Sequence, residues 1–322
     1  MNIFTILLLL IPAFFTAEVT TKLLKPRLHA SEILGVDIHK EEEPHLPEMG
    51  GLAAIAGFVF ALLIAIGLGT FTALLPGLEL MPMLAIGFTL LLIALVGIID
   101  DLMGVRQLLK ALIPLFAALP LMAVEAGETE MALPLFGKID FGIFYPLVLV
   151  PIGVTGAANA VNMLAGFNGL EVGLGLVMVS ALGYIAWLTQ STTALVVLVV
   201  AFGSLSAVLL YNWYPAEILI GDVGTLSIGA IIASAVIIGN FEYGGAIVII
   251  PYVFDLVIKA FSGFQKSFGE YRDGKLYCPT RFPVGLAPLI MKISGGIKER
   301  NLVLVLIGIE SIFGFLAVLY YL

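Results

Sequence analysis

The sequence predicts an all-α integral membrane protein, a polytopic bundle of about ten transmembrane helices. Apolar residues make up 61% of the chain and charged residues 12%, with a mean hydropathy of +1.12. Apolar runs of roughly 20 residues, the length that crosses a bilayer core, recur along the chain. Only helices or closed barrels satisfy their backbone in lipid, and these runs lack the period-2 alternation of barrel strands.

The apolar runs predict ten spans, which follow one another with short connections. They cover residues 3–24, 50–75, 83–99, 107–125, 141–158, 171–190, 193–211, 223–240, 246–262 and 301–322. Pro114 and Pro120 predict a kink in the fourth span, because proline removes a helix hydrogen bond. Short apolar stretches in 126–140 predict a small hairpin. No segment is long and polar enough for a soluble domain, so residues 1–322 are predicted to form a single membrane domain.

The distribution of charge predicts the orientation. All but Lys138 of the 15 lysines and arginines fall on one side of the predicted spans. The opposite loops carry acidic residues instead, namely Glu79, Glu125, Glu128, Glu130, Asp140 and Glu242. The basic side is therefore predicted to be cytoplasmic, with inner loops 25–49, 100–107, 159–170, 212–222 and 263–299. Both termini then lie outside. Residues 2–21 lack the basic leader of a signal peptide and are long enough to span, so they are predicted to be a helix.

Two adjacent carboxylates, Asp100 and Asp101, end the third span. Carboxylates at a membrane boundary are costly unless they are solvated, paired or bound to metal. At a helix C-terminus they also oppose the helix dipole, so another group should favour them. Arg106 and Lys110 follow, and could hold a phosphate or pair with the acids. An ordinary solvated helix end is the alternative.

The run NAVNMLAGFNGLE (159–171) joins two spans and is rich in amides and glycines. Asn159 and Asn162 share one face if they are helical. Asparagine offers an amide oxygen to a hard cation and an amide NH₂ to a base or phosphate. Gly166 and Gly169 allow the backbone to approach a ligand closely. Together with Asn168, this is too many polar residues for an ordinary turn.

Asp222 begins the eighth span within GDVGTLSIG (221–229). Alone, it would be interpreted as a helix N-cap. The adjacent glycines and the anion-attracting helix N-terminus favour a binding role. With the asparagine run and the aspartate pair, it could supply oxygen ligands for one Mg²⁺, which usually takes one or two carboxylates plus substrate phosphates and water.

Basic residues are concentrated in the last inner loop. They are Lys266, Arg272, Lys275, Arg281, Lys292 and Lys298. Positive-inside topology explains any one of them, and a phosphate-binding or sugar-binding cover is the alternative. Asp255 and Lys259, four apart in the ninth span, are predicted to neutralise each other. The three histidines lie in the first inner loop without the spacing of a zinc site, and the single cysteine excludes an intrachain disulfide.

These motifs together resemble the polyprenyl-phosphate N-acetylhexosamine-1-phosphate transferases, and within them the eukaryotic and archaeal branch that uses UDP-N-acetylglucosamine and dolichyl phosphate. The resemblance runs nearly end to end. It is carried by GVDIHK (35–40), LPEMGG (46–51), GIIDD (97–101), NAVNMLAGFNGLEVG (159–173), YNWYPAEILIGD (211–222), DGKLYCP (273–279) and IKERNL (297–302).

The resemblance implies roles for individual residues. Asn162 and Asp222 would bind Mg²⁺, for which Mn²⁺ could substitute. Asp100 and Asp101 would lie beside the lipid phosphate and the metal, and Lys110 would contact phosphate. The substrate-binding residues would be Glu48, Asn159, Gly166, Asn168, Lys266, Arg272 and Arg281, with Asn168 facing the uracil and Glu48 and the basic loop near the N-acetyl sugar.

Two positions depart from the pattern of the eukaryotic members. Their last inner loop carries an Arg-His-Arg cluster, where this chain reads GFQKSFGEYR (263–272), and Gly104 replaces an asparagine. The related bacterial peptidoglycan enzyme has a histidine-rich motif in that loop. This chain has no histidine after position 45, which argues against that enzyme.

The implied activity is transfer of N-acetylglucosamine-1-phosphate from UDP-N-acetylglucosamine to a polyprenyl or dolichyl phosphate. UMP leaves, and the product begins a lipid-linked oligosaccharide. Whether one aspartate acts as a base or forms a phospho-enzyme is left open. The expected partners are these substrates and membrane lipid but no nucleic acid, with a homodimer as an option, in the plasma membrane of a prokaryote. The alternatives are a sister transferase using another UDP-N-acetylhexosamine and a membrane transporter, although no internal repeat is visible and the polar motifs cluster at one interface.

Overall fold

The computed structural model describes residues 3–133, 137–265 and 268–322. Within these residues, eight helices are long and apolar enough to cross a membrane. They are Ile3–Ala30, Gly51–Phe71, Leu80–Met103, Tyr145–Met163, Leu170–Leu188, Thr192–Asn212, Gly221–Gly239 and Glu299–Tyr321. A bent helix pair, Glu242–Val248 and Ile250–Phe261, and a shorter apolar helix, Gln107–Ala123, occupy the other two predicted positions. The protein is therefore an all-α integral membrane protein, while the count of ten spans and the outer location of both termini stay predictions.

The first third of the chain supplies three long helices and one small hairpin. The elements are α1 (Ile3–Leu8), α2 (Leu10–Ala30), β1 (Leu34–Val36), β2 (His45–Pro47), α3 (Gly51–Phe71) and α4 (Leu80–Met103). Strands β1 and β2 are antiparallel, with Gly35 opposite Leu46. Helix α2 continues to Ala30 although Pro26 lies inside it, so the helix extends beyond residue 24, where the predicted first span ends. Helix α4 ends where Gly104 adopts a left-handed conformation (φ 64°), so the chain turns directly after the aspartate pair.

The segment after α4 is broken where proline interrupts it. It consists of α5 (Gln107–Leu112), α6 (Pro114–Ala117) and α7 (Leu119–Ala123). Pro114 and Pro120 lie in the first turns of α6 and α7, which confirms the predicted kink. The predicted hairpin is also confirmed, since β3 (Glu130–Leu133) pairs antiparallel with β4 (Gly137–Asp140).

The centre of the bundle is built around α11 (Gly221–Gly239), which packs against α3, α4, α8, α9 and α10. The neighbouring elements are a π-helical turn (Tyr145–Leu149), α8 (Val150–Met163), α9 (Leu170–Leu188) and α10 (Thr192–Asn212). Glycines allow two of these contacts. A Cβ added at Gly97 of α4 would lie 2.3 Å from the Cα of Val223, and one at Gly51 of α3 would lie 2.2 Å from the Cα of Gly224. Only glycine lets α3 and α4 come this close to the first turn of α11.

The last third of the chain contains the bent helix pair and the inner loop. The elements are α12 (Glu242–Val248), α13 (Ile250–Phe261), β5 (Glu270–Arg272), β6 (Lys275–Tyr277), α14 (Leu286–Ile293) and α15 (Glu299–Tyr321). Helices α12 and α13 meet at 52°, in the region where the sequence predicted the ninth span, 246–262. The bend precedes Pro251, which has no N–H to donate to the preceding helix.

Candidate active site

Polar motifs from distant segments of the chain meet at one cavity of about 680 Å³. The lining comes from the β1 strand end and residue 48, the start of α5, the end of α8 with the loop after it, the start of α11, and the end of α13. The sequence predicted that these motifs share one face of the membrane. Their convergence on one cavity confirms that they lie together.

Lys110 joins the two acidic motifs. Its Nζ lies 2.5 Å from Oδ2 of Asp100 and 2.5 Å from Oδ2 of Asp222. The other oxygen of Asp100 accepts the backbone N–H of Val105 at 2.7 Å, where the chain turns after α4. The lysine and this N–H are the groups that offset the unfavourable position of Asp100 at a helix C-terminus. The predicted pairing of Lys110 with the acids is therefore present.

Asp101 is held differently from its neighbour. Its two carboxylate oxygens accept the backbone N–H groups of Asp222 at 2.7 Å and of Val223 at 3.1 Å. It therefore satisfies two of the free donors at the N-terminus of α11 from another helix. This arrangement fixes the backbone of Asp222 and leaves the Asp222 side chain free to face Lys110.

The asparagines of α8 have separate partners. Asn162 donates through Nδ2 to Oδ1 of Asp222 at 2.5 Å and to Oγ1 of Thr225 at 2.9 Å. Asn159, three residues earlier, donates to the backbone oxygens of Ala111 at 3.1 Å and Thr155 at 2.9 Å. The prediction that both lie on one helix face is correct. Asn159 fastens α8 to α5, and Asn162 faces the aspartate of α11.

The oxygens around Lys110 fit a divalent cation. The carboxylates of Asp100 and Asp222 flank a site where an ammonium group already sits, so positive charge is favoured there. The Oδ1 atom of Asn162 accepts no hydrogen bond from the described residues. One or two carboxylates with an amide oxygen form the kind of incomplete oxygen shell that Mg²⁺ completes with phosphate and water. Asp222 and Asn162 are the residues that could hold it.

Glu48 brings a further carboxyl group to the cavity wall. Burial raises the pKa of Glu48 above its ordinary value, and the negative charge of Asp222 raises it further, while Lys110 lowers it. Glu48 thus lies within electrostatic range of the Lys110–Asp222 pair.

A second polar network fixes Asn168. Its Nδ2 donates to Oδ2 of Asp37 at 3.0 Å, and its backbone N–H donates to Oε1 of Glu299 at 2.8 Å. Lys40 bridges both acids, lying 3.0 Å from Oδ2 of Asp37 and forming a short ion pair with Glu299. The network joins the first inner loop, the loop after α8 and the start of α15. Sequence reasoning did not assign Asp37, Lys40 or Glu299 to the site. The Asp37–Lys40 pair is local, but the contacts with Asn168 and Glu299 join residues more than 100 positions apart.

His39 lies beside this network. Its ring stacks on Phe167 with centroids 4.4 Å apart, and Nε2 accepts the backbone N–H of Gly269 at 3.3 Å. Burial lowers the pKa of His39 to about 4, which keeps the ring neutral. Ligand atoms of Asp37, His39 and Glu299 lie within 4.8 Å of one another. The ammonium group of Lys40 lies beside both carboxylates and offsets one of their two charges.

The basic loop contributes less to the cavity than its composition suggested. Arg272 pairs with Glu270 through two hydrogen bonds of 2.9 and 2.6 Å, and Arg281 lies over the ring of Phe282 at 5.6 Å. Neither arginine belongs to the cavity wall that the described residues form. Lys266 lies outside the described residues. Their roles toward a substrate stay predictions.

Most of the predicted site residues lie together at this cavity. The cavity is lined by Glu48, Lys110, Asn159, Asn162, Gly166, Asn168 and Asp222. Asp100 contacts the cavity-lining Lys110, and Asp101 accepts backbone N–H groups at the start of α11. Lys259 of α13, which was predicted only to neutralise Asp255, also lines the cavity.

Comparisons with known proteins agree on one family. The sequence profile of glycosyl transferase family 4 matches residues 83–240. A protein of Saccharolobus solfataricus is 38% identical over 99% of this chain and 98% of its own, and one of Sulfolobus acidocaldarius is 35% identical over 98% and 96%. Both are named, provisionally, as UDP-N-acetylglucosamine–dolichyl-phosphate N-acetylglucosaminephosphotransferase. A Dictyostelium discoideum protein of that name is 26% identical over 69% of this chain and 64% of its own.

Proposed function

The chain belongs to glycosyl transferase family 4, and from this we propose that it transfers N-acetylglucosamine-1-phosphate from UDP-N-acetylglucosamine to a polyprenyl or dolichyl phosphate. UMP leaves, and the lipid diphosphate sugar begins a lipid-linked oligosaccharide. The observation that carries this proposal is Lys110 between Asp100 and Asp222, with Asn162 on the same aspartate, at the wall of a cavity large enough for a nucleotide sugar.

The reaction is one displacement at phosphorus. An oxygen of the lipid phosphate attacks the β-phosphorus of the nucleotide sugar. The bond from this phosphorus to the bridging oxygen breaks, and that oxygen leaves on UMP. The lipid phosphate is largely dianionic near neutral pH, so removing a proton from it contributes little. The chief task of the site is to hold two anions together and to offset the charge that develops on the leaving oxygen.

Lys110 is the residue placed for that task. Its ammonium group faces the cavity between two carboxylates, and it can donate to phosphate oxygens while it stays near Asp100. Mg²⁺, held by Asp222 and Asn162, would supply further positive charge to the diphosphate. Asp100 orients the lysine, and Asp101 orients Asp222 through the α11 backbone. The two adjacent acids therefore have different roles.

The surroundings of Lys110 suit a lipid substrate. On the same helix, Leu108 is 72% exposed and Leu109 is 52% exposed. Exposed leucines on an apolar helix of a membrane protein face lipid. A polyprenyl chain lying against α5 would bring its phosphate to Lys110 without leaving the membrane. The nucleotide would enter from the polar side, toward Asn168 and the β1–β2 hairpin.

A sister transferase that uses another UDP-N-acetylhexosamine is the second candidate. Arg272 and Arg281 lie outside the cavity wall formed by the described residues, so no arginine contact there selects one sugar over the other. A panel of UDP-sugars separates the two candidates. The lipid-phosphate and nucleotide ends of the site are the same in both.

The test is release of UMP by the purified protein from UDP-N-acetylglucosamine, with a polyprenyl or dolichyl phosphate and Mg²⁺. We expect release to need both the lipid and Mg²⁺, and to be lost in Asp222→Ala but not in Lys22→Ala, whose lysine is exposed and pairs with Glu18. Failure with the whole UDP-sugar panel and with several lipid phosphates would refute the proposed activity. Equal turnover in Asp222→Ala would remove Asp222 from the site.

A further inference from the structure

Helix α13 carries a buried ion pair inside an apolar segment. Asp255 is 1% exposed and Lys259 is 6% exposed, and Lys259 Nζ lies 2.8 Å from Oδ2 of Asp255. Two charges removed from water cost free energy that their mutual attraction does not always offset. Mutual neutralisation explains why neither occurs alone, but it does not explain why the pair is there.

Each member of the pair also has a backbone partner on another element. Lys259 donates a short hydrogen bond to the carbonyl oxygen of Met163, and Oδ1 of Asp255 accepts the N–H of Leu286 at 2.7 Å. Met163 is the last residue of α8, and Leu286 is the first residue of α14. The pair therefore ties α13 to the end of one helix and to the start of another.

The contact at Met163 is the one that concerns the active site. The last carbonyl groups of a helix have no partner within it, and a cationic donor there is favoured by the helix dipole. Met163 directly follows Asn162, whose amide group contacts Asp222. Holding this carbonyl fixes the last turn of α8 and with it the direction of the Asn162 side chain. Lys259 itself lines the same cavity.

We propose that Lys259 is a positioning residue, which holds the last turn of α8 so that Asn162 stays aimed at Asp222. Asp255 balances the charge of Lys259 and fastens the first turn of α14 to the same point. This inference rests on the proposed function, because the aim of Asn162 matters for turnover only if Asn162 and Asp222 form the metal-binding and phosphate-binding end of the site.

The variants must distinguish a role of Lys259 in holding α8 from simple neutralisation of Asp255. Single changes, Lys259→Met and Asp255→Asn, each leave one buried charge without its partner, so either can disturb folding. The double variant Asp255→Asn/Lys259→Met removes both charges, and its asparagine can still accept the N–H of Leu286. Neutralisation alone predicts that this double variant behaves like the wild type. A positioning role predicts that the double variant folds but that the last turn of α8, with Asn162, is less firmly held. Lys259→Arg retains a cationic donor and should hold this turn as the wild type does.

Two measurements decide between these outcomes. The first is hydrogen–deuterium exchange of the peptide covering 159–166 in the protein without nucleotide, and the second is the Mg²⁺ concentration that gives half-maximal UMP release. In the double variant we expect the melting temperature to stay near the wild-type value, and both exchange and the Mg²⁺ requirement to rise about tenfold, the effect of losing one charged hydrogen bond. Lys22→Met is the matched control, since Lys22 forms an i,i+4 pair with Glu18 away from the cavity.

The outcomes that overturn each idea are distinct. Wild-type exchange over 159–166 in the double variant would show that the pair only neutralises itself, and would refute the role of Lys259. Faster exchange in that variant together with no UMP release from the wild type, with any substrate, would uphold the contact and refute the proposed function instead.

Discussion

The most demanding test of the site is the replacement of Lys110 by methionine. The lysine Nζ lies 2.5 Å from an oxygen of each neighbouring acid, Asp100 and Asp222, so these two oxygens are no more than about 5 Å apart. Without the ammonium group, two unit charges at that separation repel each other by about 3 kcal/mol at an effective dielectric constant of about 20. All three side chains are less than a third exposed, so solvent screens this repulsion only in part.

A divalent cation is the obvious group to relieve that repulsion. In the wild type it must compete with the ammonium group for Asp222, and in Lys110→Met it does not. We therefore expect Lys110→Met to bind Mn²⁺ more tightly in the absence of nucleotide, by roughly a hundredfold, the factor that corresponds to about 3 kcal/mol. The same variant should lose turnover by about a thousandfold, because the donor to phosphate is gone.

The assay is titration of free Mn²⁺ by electron paramagnetic resonance, beside UMP release under saturating substrates. Lys110→Arg is the control, since it keeps the positive charge and should bind Mn²⁺ like the wild type. The reasoning fails if Lys110→Met binds Mn²⁺ no better than the wild type. It also fails if Asp222→Ala in the same background leaves the Mn²⁺ affinity unchanged, because the cation would then lie elsewhere.

Three further predictions concern stability and topology. Asp101→Ala should lower the melting temperature by several degrees and turnover with it, because two N–H groups of α11 lose their acceptors. Asp101→Asn, whose single amide oxygen can still accept one of them, should restore part of both; an Asn variant that is as stable as the wild type but inactive would instead give Asp101 a chemical role. The pKa of His39 falls from the ordinary 6.5 to about 4 in the folded protein, so the unfolded chain binds more protons between these values and stability should fall as pH drops from about 6.5 to 4. The melting temperature of His39→Gln should depend less steeply on pH over this range than that of the wild type. An equal pH dependence in both proteins would mean that another group causes the loss of stability. In a Cys278→Ala background, Lys138→Cys should react with a membrane-impermeant thiol reagent added outside the cell. Labelling only after lysis would reverse the predicted orientation.

The membrane spans could be predicted from the sequence because their cause is local. An apolar run of sufficient length has to form a helix in lipid, whatever surrounds it. The kinks at Pro114 and Pro120 were predictable for the same reason, since proline acts on its own helix. The bend before Pro251 had an equally local cause, and the apolar character of 246–262 hid it.

The site could be predicted in part. The spacing of Asn159 and Asn162 placed them on one face of a helix, and the cost of two carboxylates at the end of α4 indicated that a cation lies nearby. These arguments need only one helix and its end. They identify which residues are unusual, but they do not say which atom each one meets.

The role of Asp101 shows why the remainder could not be predicted. Within its own helix it is equivalent to Asp100, so no local argument assigns the two acids different partners. The difference arises because Gly97 lets α4 approach the first turn of α11 so closely that only the second carboxylate reaches the free N–H groups. Lys259 is a similar case, since its i,i+4 partner is visible in the sequence and the carbonyl of Met163 is not. For Asp101 and Lys259, the contact that links the charge to the site is therefore with a backbone group distant in the sequence, which no local pattern shows.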